Sequence, residues 1–519
     1  MLEGSGDIRS PLTSVIADCK ARDSEVGAPN DNSDLESLSD EDTDYQLLRT
    51  ERHASLEYLR SSMSGKLPLF GKEEVEAQTD TGCNGTWKLV DWVTITTPLL
   101  YICLLIFGLH LQISDAPESR SDSELFSFWL QMLTFGWWYV INVWVWRVNI
   151  PAINYVDVLS YLHHGDPGAE PQTPMALAKI MSFGTWIMAI AVMTYLCLGD
   201  HGSVAIHLVV WAIAVSVLFA PKGYWIPLVK WRRYFVRIVL ECCMSAMFLV
   251  DVRFLLTWVT DQWTSACLTL WQLEYSMCSF AVTFAAGFSS DDSATVGQWS
   301  LTGSEQCGGS SWNAKVMKPI MYLIPFILRF FQEVRTRNWW NVGKYFSAIM
   351  MVVSSCLHDQ QTNLGSLSVD GSYDKYSISF WYVHWLFWAV VKTGYCYYWD
   401  IIKDWGLWQD SDYLRKNRLY KQDWVYYFAM FTNLCGRISW TLALSPHLFA
   451  DSQWELMFAL IEISRRGQWS FFRVENQVIN VEVAKWGRLS MDEKATPDDD
   501  EDDALLQVPA LERNLWDDF

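Results

Sequence analysis

Five basic side chains stand inside or at the ends of apolar runs in the second half of this chain, and the chemistry open to them is the holding of an anion. Arg329 lies in the run Ile320–Phe331, Lys344 heads the next, Arg437 is inside Phe431–Leu444, and Arg465 and Arg466 close the last. A cation near a bilayer centre costs roughly 2.5–3.5 kcal/mol on insertion scales, so a group of them calls for a compensating anion or a wet pathway. Together they read as a route or site for an anion. Asp400 and Asp404 are four apart at the end of another run, so on a helix they share one face and repel unless a cation sits between them. Arg and Lys from neighbouring helices are the obvious cations. Blander readings stand beside this one: two free carboxylates at a solvated helix end, a snorkelling Lys344, or a structural ion pair at Arg329 or Arg437 taken singly. Arg329 is some six residues inside its expected span, 318–334, about 9 Å at the helical rise. Arg437 is deeper, with Trp440 one turn on, where an indole can shield a cation.

The elements that must position these residues are helices of membrane length, which need about 20 predominantly apolar residues. Ten such runs are expected at 92–113, 127–148, 175–198, 203–221, 262–287, 318–334, 341–358, 378–400, 422–445 and 448–466. The stretch 230–258 is apolar too, but Lys230, Arg232, Arg233, Arg237, Glu241, Asp251 and Arg253 break it, which suits a helix lying on the membrane surface. Cytosolic termini put the basic loops, with Lys222, Arg335, Arg337, Lys403, Arg415, Lys416 and Arg418, on the inner side. The acidic loops 115–124, 288–315 and 359–375 then face outward. Trp92, Trp137, Trp138, Trp399 and Trp424 at run ends read as an interfacial belt.

Composition agrees: of 519 residues 51% are hydrophobic, 15% are aromatic and 30 are Trp, well above soluble usage. The net charge of −20 sits largely in the tails, such as Asp40–Asp42 and Asp498–Asp503. Acidic tails argue against nucleic acid and anionic lipid as their partners. Residues 1–86 have no apolar signal core and read as a disordered cytosolic region, which leaves the sequon at Asn84 unglycosylated. Most of the twelve Cys, including Cys103, Cys197, Cys267, Cys278, Cys396 and Cys435, fall in apolar runs without CxxC or Cys/His clustering, so buried thiols are expected and a zinc site is not. No GKS or GKT phosphate loop occurs, which argues against ATP-driven pumping.

The string RRGQWSFFRVEN, with NVGKY, YWDIIKDWGL and GRISW, resembles the EXS domain, the membrane domain of the phosphate exporters that include the xenotropic and polytropic retrovirus receptor and the plant and yeast PHO and SYG proteins. Trp146, Arg147, Asn154 and Tyr155, and Asp261, Gln262 with Leu273, Glu274, Tyr275, extend the resemblance to about residues 88–488. It implies efflux of inorganic phosphate through a path built by the last six spans. Carried over by position, the phosphate path takes Asp261, Lys344, Tyr345, Asp400, Asp404, Arg437, Trp440, Arg465 and Arg466. Lys318 stands where relatives are expected to carry Arg, keeping charge but losing the bidentate fork. Arg329 joins them on its depth in its run, and Glu274, Arg473 and Glu475 support. An SPX domain usually opens such proteins, and residues 1–86 are too short and acidic for one, so the chain resembles the SPX-less branch, whose fungal member is associated with Golgi phosphate recycling and the retention of glycosylation enzymes.

The expectation is therefore an all-α polytopic bundle of about ten spans between acidic tails: 1–87 cytosolic, 88–260 a first bundle, 261–488 the EXS core, 489–519 a tail. It carries phosphate, needs no cofactor or metal, binds the bilayer and no nucleic acid, and is compatible with a homodimer and with trafficking partners for the tails. It is placed in Golgi, other endomembranes or the plasma membrane. The alternatives are a Golgi or ER membrane protein that supports glycosyltransferase retention through phosphate recycling, a membrane-embedded transferase using His163, His164 and Asp166 or His358 and Asp359, and a scaffold without transport.

Overall fold

The computed structural model describes residues 89–113, 117–149, 173–198, 203–223, 226–289, 304–308, 311–366, 380–408, 413–415, 418–443 and 454–492. The tails, Asn84, and the histidine pair His163–His164 with Asp166 lie outside them. So do the side chains of Trp440 and Asp359, although their backbones are helical.

Among the described residues every regular element is helical. In chain order they are α1 (Leu89–Ile113), α2 (Pro117–Asn149), α3 (Pro174–Leu198), α4 (Ser203–Phe219), α5 (Val229–Ala246), α6 (Phe254–Trp263), α7 (Cys267–Ser289), a single turn α8 (Ser304–Cys307), α9 (Trp312–Arg335), α10 (Trp339–Ser366), α11 (Phe380–Tyr398), a π turn (Trp399–Asp404), α12 (Asp423–Ala443) and α13 (Glu455–Asp492). By length and apolar composition alone, Trp92–Ile113 and Pro174–Leu198 could cross a membrane, and Ala205–Phe219 is a shorter apolar helix. The other long helices are less apolar on average, and several carry charged side chains that are buried inside the bundle. Their outer faces are apolar: Trp424, Phe428, Phe431 and Ile438 form one exposed stripe on α12, and Val383, Phe387 and Val390 another on α11. Spacings of three and four put each set on one helix face. Large apolar side chains outside and charges inside invert the pattern of a water-soluble domain.

Three departures from the expected elements matter for the site. The stretch 230–258 is not one helix: α5 ends at Ala246, and α6 begins after a break at Met247–Arg253. Within α5, Arg232 is buried and donates to the carbonyls of Ala220 (2.8 Å) and Pro227 (3.1 Å), satisfying backbone just past the end of α4. Second, Asp261 belongs to the short helix α6 and not to the head of the next span, which starts at Cys267. Third, the last helix does not stop at Arg466. It runs on to Asp492, about 57 Å for its 38 residues, so the Arg pair is in its interior. Gly467 looks like a stop, but a Cβ there would meet the Trp138 ring at 2.5 Å, so the glycine serves a close approach of α2 to α13.

One apolar core joins α1–α6 to the π turn, α12 and α13, through residues such as Trp146, Leu255, Trp258, Ile401, Trp405, Tyr426 and Trp469. A polar knot ties α2 to α7. Gln131 donates to Gln272 (2.6 Å), Gln272 to Ser127 (2.9 Å) and Thr269 to Gln131 (2.7 Å), all buried. The Cys278–Cys307 disulfide pins α8 to α7, so Cys278 is not the buried thiol expected of it.

Candidate functional site

The site is built where α9, α10, α11 and α13 meet the break between α6 and α7. On α9, Arg329 donates from Nε to Asp261 (2.8 Å) and pairs with Glu333 one turn on (2.5 Å). Tyr345 donates to the same Asp261 oxygen at 2.5 Å. Gln332 accepts from Arg329 (2.8 Å) and from Thr260 (2.9 Å), and donates to Ser245 (2.8 Å). Arg329 is thus held by two carboxylates, and it does not line the central cavity described below.

A second lattice lies between the π turn, α12 and α13. Asp400 accepts from Arg437 Nε (2.8 Å) and Nη2 and from Asn433 (2.9 Å), with Arg465 at 3.5 Å. Arg465 forks onto Glu462 at 2.7 and 2.5 Å and donates to Asn433 (2.9 Å). Gly436 leaves room for this: a Cβ there would stand 2.9 Å from Arg465 Cδ. Glu462 was not among the residues singled out in the sequence. Its position three before Arg465, with apolar neighbours, is the signal that could have found it.

Asp404 does not share these partners. The π turn takes one residue more than an α turn, with Trp405 N–H donating to Asp400 O at 2.9 Å, and Leu407 N–H closes it onto Ile401 O, also at 2.9 Å. Asp400 and Asp404 both lie within this turn, and what separates them is the partners that neighbouring helices supply. Asp404 accepts from Trp469 Nε1 (3.1 Å) and faces Arg473 at 3.6 Å. The like-charged pair is split, each carboxylate with its own cation. Glu475 pairs with Arg415 (2.5 Å) and accepts from Tyr426 (2.5 Å) and from Leu419 N–H (2.7 Å), while Asn476 donates to Asp404 O (3.1 Å). The RVEN part of the motif therefore fastens the π turn to α13.

The cavity at the centre, about 30 Å³, is lined by Thr264, Phe326, Lys344, Tyr345, Ala348, Lys392, Cys396, Asp400, Arg437, Glu462 and Arg466. Four cations face it against two carboxylates. Arg437 is spent on Asp400, while Lys344, Lys392 and Arg466 make no ion pair among the described residues. Lys344 lies 4.5 Å from the Tyr345 ring centre and 5.0 Å from that of Trp399. Arg466 donates to Ser265 and Thr264, both at 3.0 Å, and covers the Trp469 ring at 4.7 Å. Aromatic faces and hydroxyls shelter these cations without neutralising them.

Other expected residues fall outside. Lys318 pairs with Glu455 at 2.8 Å, where α9 and α13 begin, partly exposed and about 16 Å along α9 from Arg329. Glu274 accepts from Asn313 (3.1 Å) beside the disulfide. His358 packs against Tyr382 at 5.6 Å, some 21 Å along α10 from Lys344, so the rival pair is remote from the cavity. Lys392, like Glu462, is a charged cavity residue that sequence reasoning missed.

The sequence pattern of the EXS family matches residues 123–479, more than half of the chain. This chain is an EXS family protein. It is 29% identical over 324 residues to SPX and EXS domain-containing protein 3 of Dictyostelium discoideum, covering 58% of this chain and 31% of the relative. Against Phosphate transporter PHO1 of Arabidopsis thaliana it is 25% identical over 408 residues, 74% of this chain and 46% of the relative. Against human Solute carrier family 53 member 1 it is 27% identical over 242 residues, 43% and 32%. The chain spans between 31% and 46% of the length of these relatives.

Proposed function

We propose that this EXS protein carries inorganic phosphate passively across a membrane through the path that contains the central cavity. The observation that carries the reading is the cavity's imbalance: Lys344 and Arg466 face it without a carboxylate, beside an Arg437 already neutralised by Asp400. Guanidinium and ammonium groups suit a tetrahedral oxyanion, and a conducting site must also release it. Two relatives, PHO1 and its first Arabidopsis homologue, bear the printed name of phosphate transporter, which supports the same substrate class. Transport, rather than catalysis, is the activity.

About ten crossings, with the first bundle at 88–260 and the transport core at 261–488, and both termini cytosolic, complete the reading. The exposed apolar stripes on α11 and α12 support crossings by helices whose inward faces are charged. The Cys278–Cys307 disulfide supports a lumenal or extracellular position for the segment 288–315, since disulfides persist on the oxidising side. Lys318 and Glu455 then mark the outer mouth. Golgi, another endomembrane or the plasma membrane each fits. Within the cavity Lys344 and Arg466 take the anion, Arg437 and Arg465 hold the field around it, and Asp400 and Glu462 keep those two guanidinium groups in place. The cavity has room for roughly two water molecules, so its flexible lysine stems must part to admit phosphate.

The test is flux from liposomes holding the purified full-length protein. Labelled phosphate should equilibrate without nucleotide and respond to voltage. No movement in either direction, across pH and voltage, rejects the reading. Cysteine accessibility supplies the topology test: a cysteine placed at Ser300 and one in the C-terminal acidic run should be labelled from opposite faces.

A further inference from the structure

Lys392 is a buried ammonium with no hydrogen-bond partner among the described residues. Its side chain is 4% exposed and lines the central cavity. The contact that shelters it is the Phe326 ring, 5.2 Å from Nζ to centroid. An aromatic face steadies a cation but occupies none of its three N–H donors, so all three remain available. A buried, uncompensated charge is the kind of group a fold discards unless something fills the need.

Its place in the chain gives that need a direction. Lys392, Cys396 and Asp400 are four apart along α11 and the turn that follows, and all three line the cavity. They form a stripe about 12 Å long, with Asp400 at one end and Lys392 at the other. The titratable groups that act on Lys392 electrostatically are Cys396 on its own helix, Glu462 on α13, Cys267 at the head of α7 and Arg437 on α12. Glu462 is already forked onto Arg465, and Arg437 repels.

From this we propose that Lys392 is a direct ligand of the transported anion and, as the cavity's third unpaired cation, fits it to doubly charged tetrahedral oxyanions over singly charged ones. The inference rests on the phosphate reading above and names a residue and a charge class within that site. Paired guanidinium groups cancel against Asp400 and Glu462, whereas Lys344, Lys392 and Arg466 together leave an excess that one monoanion does not balance. An anion at the far end of the stripe also has a second foothold, which suits passage in steps.

The test uses full-length protein, K392M and K392R, read by thermal stability and by liposome flux. With no phosphate present, K392M should melt no lower than wild type, because it removes an unmet charge from the interior. Inorganic phosphate and sulfate should raise the melting temperature of wild type and K392R more than nitrate does. In K392M that rise should shrink, with half-saturating phosphate about tenfold higher or more, the equivalent of one lost charge-assisted hydrogen bond. Flux should fall in K392M and recover in part in K392R. A phosphate-induced stabilisation equal in K392M and wild type overturns the assignment, whether or not the wild type conducts. A K392M that melts well below wild type without phosphate also overturns it, since the lysine then serves the fold. If the Lys392-dependent stabilisation is present and wild type carries no phosphate, transport fails and the ligand assignment stands. If wild type shows neither, both fall.

Discussion

On the α12 and α13 side of the cavity, Arg437 and Arg465 each clasp a carboxylate; on the α10 and α11 side, Lys344 and Lys392 lie against aromatic rings and clasp none. Both sides are basic and buried. The difference teaches that buried cations in one site can have opposite jobs. A guanidinium that is already forked onto a carboxylate is part of the framework, because its charge is cancelled and its donors are used. A lysine against a ring keeps its donors and its charge for something that arrives later.

That contrast can be broken most decisively at Asp400. Replacing Asp400 with Asn removes the carboxylate from between Arg437 and Arg465 and leaves two guanidinium groups facing each other, so a loss of about 3–5 kcal/mol of stability is expected, with expression falling too. A melt of the purified variant in detergent measures it. Adding Arg437→Gln should restore much of the folding and little of the flux. A D400N protein as stable as wild type would show that the framework side is not a framework.

The open side should behave the other way. For Lys344→Gln the fold should survive and phosphate flux should drop about tenfold or more, the size of one lost charged hydrogen bond. If K344Q fails to fold while its aromatic neighbours are intact, the contrast collapses from that end.

The adjacent arginines sharpen it further. Arg465→Lys loses the fork onto Glu462 and should destabilise by about 1–2 kcal/mol, while Arg466→Lys keeps a charge facing the cavity and should cost flux several-fold with little effect on the melt. Full transport by the double lysine variant would remove both arginines from the path. The smallest effect is expected at the outer pair: Lys318→Ala or Glu455→Ala should change stability by about 0.2–1 kcal/mol, as partly exposed ion pairs do. Flux unchanged in those variants separates them from the cavity.

The helical class and the cations were readable because a charge inside an apolar run is a local signal, carried by Arg329, Lys344, Arg437, Arg465 and Arg466 themselves. What each cation faces is not local. Arg329 turned out to be held by Asp261 and Glu333, and Asp404 to face Arg473, because which helices pack side by side leaves no local mark in the sequence. The end of the last helix was misplaced for a related reason: the apolar run stops at Arg466, whereas the helix continues to Asp492 with Gly467 packed against the Trp138 ring. Lys392 escaped notice as one lysine among aromatics, although its spacing to Cys396 and Asp400 was in plain view. The disulfide partner of Cys307 depended on how a polar loop folds back.

The knot of Gln131, Gln272, Ser127 and Thr269 has a consequence that concerns the surrounding medium. In water, apolar burial drives helices together, and an amide pair in the contact adds little. Among acyl chains that drive is absent, since a neighbouring lipid tail is as greasy as a leucine, and adhesion passes to groups that find no hydrogen-bonding competitor outside. Each such contact contributes only about 0.6 kcal/mol on average, so α2 and α7 are held by several weak bonds acting together. On the reading that the bundle crosses a membrane, α2 and α7 are joined there by what the solvent cannot offer.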